Sequence, residues 1–491
     1  MRVNIPVPQS LAVAAVLYIL SFGFPARMVL HTPIVPELRK RGINATSICP
    51  GADDPGLKHV AERLGIEMYG PPGSLPRAGR EYLAARRYLF EDVRGNPALY
   101  ARHLRDIEVP SNPPMRLRQR LSGAARRFER RTLYFSNRVM CSSKVLSGAA
   151  AAGERLFLRN RELRTLLQRL EPSLLVTTYP IDMLEATAMA EARRLGILTV
   201  VQLLSWDNIT SKGRFPVLGD YYLSWGPIMT GELREYYNVD ASRIFETGVA
   251  HFDAQLAMAD ASLRARVLGD MGLDPTRPYL LFGMSSPFFA PHEIDLVEEL
   301  AGWIRRGEFG PNLNLVVRPH PQNVQGYMAD VSWLPRLRAL QGPRVGVFWP
   351  RLLESKLAWA LDESDLPALA SMMAGCTINL NSGSTFAIDG LVHQKPVVLT
   401  VFDAGHDLPW HRSARRCADF IHLKKLIDTG GLFPVRSFEE LRTTLHRLLK
   451  EPDLNLEARK KALHAECGPV DGRASERIAD ALVAIANKHA R

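Results

Sequence analysis

Arg318, Pro319, His320 and Pro321 directly follow an apolar run over residues 313–317, within the segment 313–323 (LNLVVRPHPQN). The apolar run predicts a strand over 313–317. Arg318 offers a planar fork of N–H donors that suits a phosphate group. His320 adds either another donor or a proton near neutral pH. Pro319 and Pro321 fix the backbone on both sides of His320, which reduces the entropy lost when a ligand orders that side chain. The pattern favours a phosphate site at a strand end, and a capped strand with a solvent-facing histidine is the open alternative.

Small hydroxyl residues follow two further apolar runs, 279–283 and 377–380. After the second run, a helix is predicted to begin at Ser384 and Thr385. Free N–H groups and hydroxyls at a helix start favour an anion, although an ordinary N-cap uses the same residue types. Asp389, about one turn into that helix, could reach the hydroxyls of a ribose. The predicted phosphate- and nucleotide-binding residues are Ser285, Ser286, Arg318, His320, Pro321, Ser382, Ser384, Thr385 and Asp389.

An acidic residue stands at the matching position in the first half of the chain. The apolar run 197–204 is followed by Trp206, Asp207 and Asn208. A carboxylate there could act as the general base for an acceptor hydroxyl, with Trp206 and Asn208 on the acceptor side. An Asx turn at the start of a loop is the alternative interpretation. His31, after the first predicted strand, is a second candidate for the catalytic role.

Short apolar runs alternate with helical stretches, and the alternation restarts after a polar stretch near residues 262–278. Continuous apolar runs separated by helices indicate parallel sheets covered on both faces. The predicted fold class is therefore α/β, with two Rossmann-like domains whose parallel sheets face a central cleft. Residues 1–265 are predicted to bind the acceptor, and residues 278–491, which end in helices, to bind a nucleotide donor. Ligands of such sheets bind beyond the carboxyl ends of the strands, so the predicted site residues should meet in the cleft.

The net charge of +11 is concentrated in one segment. Residues 76–170 contain 21 Lys/Arg and 8 Asp/Glu, so this segment alone carries +13. Within it, a helix over residues 115–131 (MRLRQRLSGAARRFERR) would have a narrow apolar face among seven arginines. That pattern suits an anionic membrane surface, and a solvated helix of the acceptor domain is the alternative. Because the segment has few aromatic residues and no recognition-module signature, no nucleic-acid partner is expected.

Several familiar sites are absent from the sequence. The chain has no GxxxxGK[ST], HExxH or GxSxG motif and no Asp-x-Asp pair after a strand. We therefore expect no metal and no cofactor beyond an activated donor. The apolar stretch 11–20 is too short to span a bilayer and lacks the basic start of a signal peptide, so the first strand is predicted near 16–21. The five cysteines, an odd number without a CxxC pair, favour a reducing cytoplasm.

These clusters, in this order, resemble the two-domain glycosyltransferase-B (GT-B) superfamily. More narrowly, they are similar to the branch that holds CDP-glycerol glycerophosphotransferases, bacterial sialyltransferases and related surface-polysaccharide transferases. The resemblance covers about residues 170–485 and leaves 50–165 unmatched. The segments that carry it are FETGVAHFD (245–253), VVRPHP (316–321), NSGSTFAIDGLVHQKPVV (381–398) and VDGRASERI (470–478).

The resemblance implies that His320 and Pro321 face the donor phosphate. It also implies that Ser384 and Thr385 hold that phosphate or a pyrimidine, with Asp389 near the ribose. The expected function is that of an inverting, metal-independent glycosyltransferase of cell-surface polysaccharide biosynthesis, with a cytidine- or uridine-activated donor. The acceptor would be a glycan or lipid-linked glycan, and the enzyme would be cytoplasmic, peripheral on the inner face of the cell membrane.

Three other functions stay open. One is a CDP-polyol phosphotransferase, and another is an enzyme like the non-hydrolysing UDP-N-acetylglucosamine 2-epimerases. In that epimerase family the second motif carries paired glutamates after Ser-Gly. Here the matching stretch, residues 384–389 (STFAID), has no such pair. The third is a non-enzymatic sugar- or lipid-binding scaffold.

Overall fold

The computed structural model describes residues 15–90, 95–108, 152–154, 156–324 and 332–489, together with positions 128, 131, 132, 135–137 and 145. The predicted interfacial helix 115–131 lies outside the described residues except for its positions 128 and 131, which are helical. Within the described ranges, no helix is both long and apolar enough to cross a bilayer.

The N-terminal sheet has seven parallel strands in the order β3-β2-β1-β4-β5-β6-β7. Its central strands are fully buried apolar runs, as expected for a sheet with helices on both faces. The strands are β1 (Ala15–Ile19), β2 (Asn44–Ile48), β3 (Glu67–Tyr69), β4 (Leu174–Thr177), β5 (Leu198–Gln202), β6 (Tyr221–Ser224) and β7 (Ile244–Glu246).

The C-terminal sheet has six parallel strands in the order β10-β9-β8-β11-β12-β13. The predicted α/β class with two parallel sheets is thus confirmed. The strands are β8 (Tyr279–Gly283), β9 (Asn314–Arg318), β10 (Val345–Val347), β11 (Ile378–Asn381), β12 (Val397–Thr400) and β13 (Phe433–Val435).

Helices cover both sheets. In the first half they are α1 (Gly23–Leu30), α2 (Ile34–Lys40), α3 (Pro55–Leu64), α4 (Arg77–Phe90), α5 (Pro97–Ile107), α6 (Arg161–Leu170), α7 (Met183–Arg194), α8 (Asn208–Ser211), α9 (Pro227–Tyr237), α10 (Ala250–Met258) and α11 (Ala261–Asp270). In the second half they are α12 (Glu293–Arg306), α13 (Pro321–Val324), α14 (Trp333–Leu340), α15 (Asp365–Gly375), α16 (Phe386–Val392), α17 (Ile421–Ile427), α18 (Phe438–Lys450), α19 (Leu456–Cys467) and α20 (Ala474–His489).

The chain crosses between the two domains twice. It passes into the C-terminal domain after α10, where α11 packs against α15. It returns at its end, because α20 packs against α2 and buries Ile478, Leu482 and Ile485 in the core below β1. The last helix of the predicted range 278–491 therefore packs on the N-terminal sheet.

A loop of the C-terminal domain, residues 349–364, fastens the two domains together, and we call it the bridging loop. Leu357 of this loop is buried in the core of the N-terminal domain. The N–H of Gly23 donates to the carbonyl of Ala358, at 3.0 Å. A Cβ atom on Gly23 would lie 2.6 Å from the nitrogen of Ala360, so only glycine allows α1 to come this close. The start of α1 is therefore held at the cleft between the sheets.

Candidate functional site

His320 follows β9 at the carboxyl edge of the C-terminal sheet, where the sequence predicted a phosphate ligand. Its ring is half-buried, and Nδ1 accepts a hydrogen bond from the N–H of Gln322 at 3.0 Å. Burial, and then the positive charges of Arg318 and Arg27, lower the pKa of His320 to about 4. The ring is therefore neutral at pH 7 and carries its proton on Nε2. This atom is a hydrogen-bond donor without an acceptor among the described residues.

Arg318 is buried at the end of β9 and is already engaged. Its Nη2 donates to a carboxylate oxygen of Asp365 at 2.6 Å, and its Nη1 to the carbonyl of Trp349 at 3.0 Å. The guanidinium also lies over the ring of Phe348. These contacts join β9 to the bridging loop and to α15, so Arg318 stabilises the strand end that presents His320.

A buried carboxyl group, Glu293 in the first turn of α12, organises the ends of β8 and β11. It accepts hydrogen bonds from the N–H of Ser285 at 2.6 Å and from the hydroxyl of Ser382 at 2.5 Å. Burial raises the pKa of Glu293 to about 8. The hydroxyl of Ser382 also bonds Thr400, at 2.9 Å, and the hydroxyl of Ser286 accepts from a backbone N–H within its own turn. These contacts tie neighbouring strands and close the turn after β8.

The turn after β11 uses most of its own N–H groups. Gly383 has a φ of 92°, which favours glycine. The N–H groups of Gly383 and Ser384 both donate to the side-chain oxygen of Asn381, at 2.9 and 3.1 Å. The Ser384 hydroxyl accepts from the N–H of Phe386, and the side chain of Thr385, the N-cap residue of α16, makes no capping hydrogen bond. The predicted cluster of free N–H groups is thus largely satisfied inside the turn, and Thr385 retains a half-buried hydroxyl.

Polar side chains from both domains meet across the cleft. Asp389 of α16 accepts a hydrogen bond from Gln255 of α10 at 2.8 Å, and the same nitrogen of Gln255 lies 3.0 Å from Nε2 of His251. Burial raises the pKa of Asp389 to about 6, although Gln255 and Arg27 oppose the rise. Arg27 of α1 lies within electrostatic reach of Asp389, His251 and His320, because its charge shifts the pKa of each.

Three buried polar atoms of this cluster have no hydrogen-bond partner among the described residues. They are Nε of Arg27, Nδ1 of His251 and Oε1 of Gln255. Leaving a buried donor or acceptor unsatisfied costs about 1–3 kcal/mol each, so such groups normally have a partner. The cluster can donate to an anion through Arg27 and through Nε2 of His320, which come from opposite domains.

Arg27, His251 and Gln255 were not predicted from the sequence to belong to the site. Arg27 could have been singled out as a charged residue just after the first predicted strand, in the segment FGFPARMVLHT (22–32). His251 lies inside the FETGVAHFD segment that was noted for its resemblance alone. Gln255 gave no signal of its own.

His31, the second candidate base, lies at the end of α1 and its N–H donates to the carbonyl of Arg27. It is half-buried. Burial, supported by the charges of Arg27 and Arg63, lowers its pKa to about 4, while Glu363 acts in the opposite direction. His31 is therefore a neutral imidazole within electrostatic reach of Arg27.

Asp207 lies beyond β5 in a separate group of contacts. It forms an ion pair with Lys212 at 2.8 Å and accepts a hydrogen bond from the hydroxyl of Ser211 at 2.7 Å. Burial alone would raise its pKa, but Lys212 and His422 outweigh burial and hold the pKa well below its usual range. Among the described contacts, no hydrogen bond or ion pair joins Asp207 to His320.

The two neighbours of Asp207 that were expected on the acceptor side are buried. Trp206 is 2% exposed and packs edge-on against the ring of His422. Asn208 is 1% exposed, and its side-chain oxygen accepts from the N–H of Ser205 at 3.0 Å. Both side chains shape the loop after β5, and neither offers an open surface to a ligand.

Within the described residues, the cleft cluster contains no set of side chains with metal-ligand spacing. Elsewhere in the described part of the chain, one such set is found, formed by His292 and Asp295 at the start of α12 and His406 in the loop after β12.

No protein-family model and no curated protein sequence matches the chain. Solved structures do match over nearly its whole length. The Staphylococcus aureus MnaA–UDP complex is 11% identical, with a TM-score of 0.57, and the match covers 97% of this chain and 98% of that one. UDP-GlcNAc 2-epimerase from Neisseria meningitidis, bound to UDP-GlcNAc, is 12% identical with a TM-score of 0.53, covering 96% and 100%. A glycosyltransferase from Rickettsia africae is 12% identical with a TM-score of 0.50, covering 97% and 99%. The chain therefore has the two-domain GT-B fold of these three solved structures.

Proposed function

We propose that the chain is a nucleotide-sugar-dependent glycosyltransferase that acts in the biosynthesis of cell-surface polysaccharide or another glycan. One observation carries the proposal: hydrogen-bond donors on Arg27 and His320, without an acceptor among the described residues, come from opposite domains and lie within electrostatic reach of one another. Structural neighbours with this fold were solved with UDP or UDP-GlcNAc, which supports a nucleotide-activated sugar as donor. The acceptor is a glycan or lipid-linked glycan, and no metal ion or cofactor takes part in the transfer.

The donors on Arg27 and His320 stabilise the leaving nucleotide. When the glycosidic bond to the donor phosphate breaks, negative charge grows on the departing oxygen. Fixed donors in a cleft that excludes water stabilise that charge without reorganising. Because the pKa of His320 in the free protein lies near 4, this histidine meets the donor phosphate as a neutral hydrogen-bond donor. The guanidinium of Arg27 supplies the compensating positive charge.

His31 is the better general base for the acceptor hydroxyl. A donor pyrophosphate next to Arg27 brings negative charge close to His31, and negative charge raises a histidine pKa towards the range useful for catalysis. Asp207 is a weaker base because Lys212 stabilises its ionised form. Its contacts support a role in fixing the loop after β5. Direct attack by an acceptor activated in this way inverts the anomeric centre.

Two alternative activities can be distinguished from glycosyl transfer by experiment. The fold neighbour from Neisseria meningitidis, a UDP-GlcNAc 2-epimerase, supports an epimerase-like alternative. Residues 384–389, however, carry one carboxylate, that of Asp389, and it is bonded to Gln255. A CDP-polyol phosphotransferase is the other alternative, and it would use the same phosphate donors.

The test incubates the protein with UDP-GlcNAc in the absence of any acceptor. The transferase proposal expects no conversion to the 2-epimer, and accumulation of that epimer would refute it. A thermal-shift panel of CMP, CDP, UMP, UDP and GDP then identifies the nucleobase of the donor. Stabilisation by cytidine nucleotides alone would direct the search to sialyl-type donors and CDP-polyols.

We also propose that the enzyme is cytoplasmic and lies at the inner face of the cell membrane. Phe128 and Phe135 are both at helical positions and are 76% and 80% exposed. They lie within the segment that carries a net charge of +13, and exposed aromatics beside basic residues suit an anionic bilayer. In vesicle flotation, changing both phenylalanines to serine should abolish binding to anionic lipid. Met183→Ser, at another exposed apolar residue, should not, and equal flotation of all three proteins would contradict the proposal.

A further inference from the structure

Two histidines and an aspartate converge at the start of α12, outside the cleft cluster. Nδ1 of His292 lies 3.0 Å from Oδ2 of Asp295, and Nε2 of His406 lies 2.9 Å from the same oxygen. Ligand atoms bound about 2.0–2.1 Å from one metal ion are themselves separated by about 2.8–3.4 Å. The two measured separations fall in that range. Each side chain is also partly open to solvent, with 28–47% of its surface exposed, so an ion can enter.

The carboxylate of Asp295 is oriented by a second contact. Its other oxygen, Oδ1, accepts from Arg336 at 2.5 Å, and Arg336 also bonds Glu298 at 2.6 Å. A ligand carboxylate in a metal site is commonly held in this way by an outer partner. Glu298 offsets the charge of Arg336, which leaves Asp295 to balance part of the charge of a cation.

The two imidazoles are stacked in the ion-free arrangement. Their centroids are 3.6 Å apart and their planes differ by 15°. Because the lone pair of a ring nitrogen lies in the ring plane, parallel rings cannot both aim at a point about 2 Å away. Binding therefore requires the rings of His292 and His406 to turn towards one another, and each proton to reside on the ring nitrogen that faces away from the ion.

The loop that carries His406 contacts both domains. This loop, residues 403–413, is closed at its base by Asp403, which accepts from the N–H of Ala414 at 2.9 Å. Near its far end, Arg412 bonds Glu108 at the end of α5 in the other domain, at 2.5 Å. An ion shared by His406 and α12 adds a third anchor to a loop that joins the two domains.

We propose that His292, Asp295 and His406 form a binding site for a divalent transition metal ion that accepts imidazole and carboxylate ligands, such as Zn²⁺. The ion is structural: it fastens loop 403–413 to α12 and takes no part in the transfer. Two imidazoles and one carboxylate leave coordination positions for water.

The test titrates protein freed of metal by chelation with Zn²⁺ in a calorimeter, and with Co²⁺ by visible absorption. We expect one ion per chain. His406→Ala and His292→Ala should each weaken Zn²⁺ binding by at least about 10-fold, since losing even an outer partner of a metal ligand costs that much.

His464→Ala, at an exposed histidine of α19, is the matched control and should bind Zn²⁺ as the unchanged protein does. The altered side chains are at the surface, and far-UV circular dichroism verifies that each variant is folded. Absence of saturable binding in the unchanged protein would overturn the proposal. Unchanged affinity in His406→Ala would equally overturn it, because the ion would then be held elsewhere.

Discussion

Replacing His320 tests how the cleft holds a phosphate group. The Nε2 proton of His320 is its one group free to donate, because Nδ1 already accepts from Gln322. A hydrogen bond to a charged group contributes about 1.5–3 kcal/mol, which corresponds to about a 10- to 150-fold change in affinity. His320→Ala should therefore weaken binding of the donor nucleotide by that factor.

Two conservative variants separate the two nitrogens of the ring. An asparagine oxygen takes the place of Nδ1 and can still accept from Gln322, but it leaves no donor at the Nε2 position. A glutamine nitrogen takes the place of Nε2. His320→Asn should therefore lose affinity as His320→Ala does, and His320→Gln should recover part of it. Titration calorimetry with the nucleotide selected by the thermal-shift panel measures all three.

The pH dependence of this binding has a definite sign. Because the pKa of His320 is lowered to about 4, the ring is neutral in the free protein at all pH values above about 6. The ratio of the affinities of the unchanged protein and His320→Gln should thus stay constant between about pH 7 and 8.5. A histidine that binds as a cation would instead give a ratio that rises as the pH falls. That rise, or an unchanged affinity in His320→Asn, would show that His320 does not bind the nucleotide as a neutral donor through Nε2.

Three further predictions concern other groups. His31→Ala should reduce kcat by at least about 100-fold, the usual contribution of a general base, while Asp207→Asn should reduce it much less. If a steady-state assay gave the reverse order, Asp207 would be the general base. Burial raises the pKa of Glu185 to about 7 in the folded protein, whereas in the unfolded chain this carboxyl group loses its proton near its ordinary pKa of about 4.5. The free energy of unfolding should therefore fall by about 3 kcal/mol as the pH rises from about 4.5 to 7. Glu185→Gln should lessen this slope in urea denaturation, while the buried carboxyl groups of Glu293 and Asp389 contribute the slope that remains. An unchanged slope in Glu185→Gln would contradict the prediction. Gly23→Ala should lower the free energy of unfolding by about 1–3 kcal/mol, because its Cβ atom meets backbone of the bridging loop. Gly231→Ala, where the added atom meets nothing within 4 Å, should be neutral or stabilising, and equal losses at both sites would contradict the close approach.

The central strands could be predicted from the sequence because a buried parallel strand is a continuous apolar run. The prediction for β8 matches the observed bounds, and those for β9 and β11 differ by one residue. Strands β2, β3 and β13 were missed. They are short or contain polar residues and proline, and they lie at or next to the sheet edges, where burial imposes less of a pattern.

The candidate site was predicted only in part, since strand ends are local features and contacts between distant segments are not. His320 could be singled out from its own neighbours in the chain. The bond between Gln255 and Asp389 joins residues 134 apart, and the bond between Ser382 and Glu293 joins residues 89 apart. No local pattern indicates that Ser382 is engaged by a buried carboxyl group, or that Lys212 holds Asp207 in its ionised form.

The binding of nucleoside diphosphates to a variant without the Arg27 guanidinium tests most directly whether the cleft holds the phosphate groups of a nucleotide. Calorimetry would compare UDP and CDP with uridine and cytidine, in the unchanged protein and in Arg27→Met. The same substitution at Arg234, an exposed residue of α9, is the control. We predict that one diphosphate binds the unchanged protein far more tightly than its nucleoside, and that Arg27→Met loses at least about 10-fold in affinity, while Arg234→Met loses none. Unaltered binding in Arg27→Met would show that the phosphate groups are held elsewhere and would contradict the account.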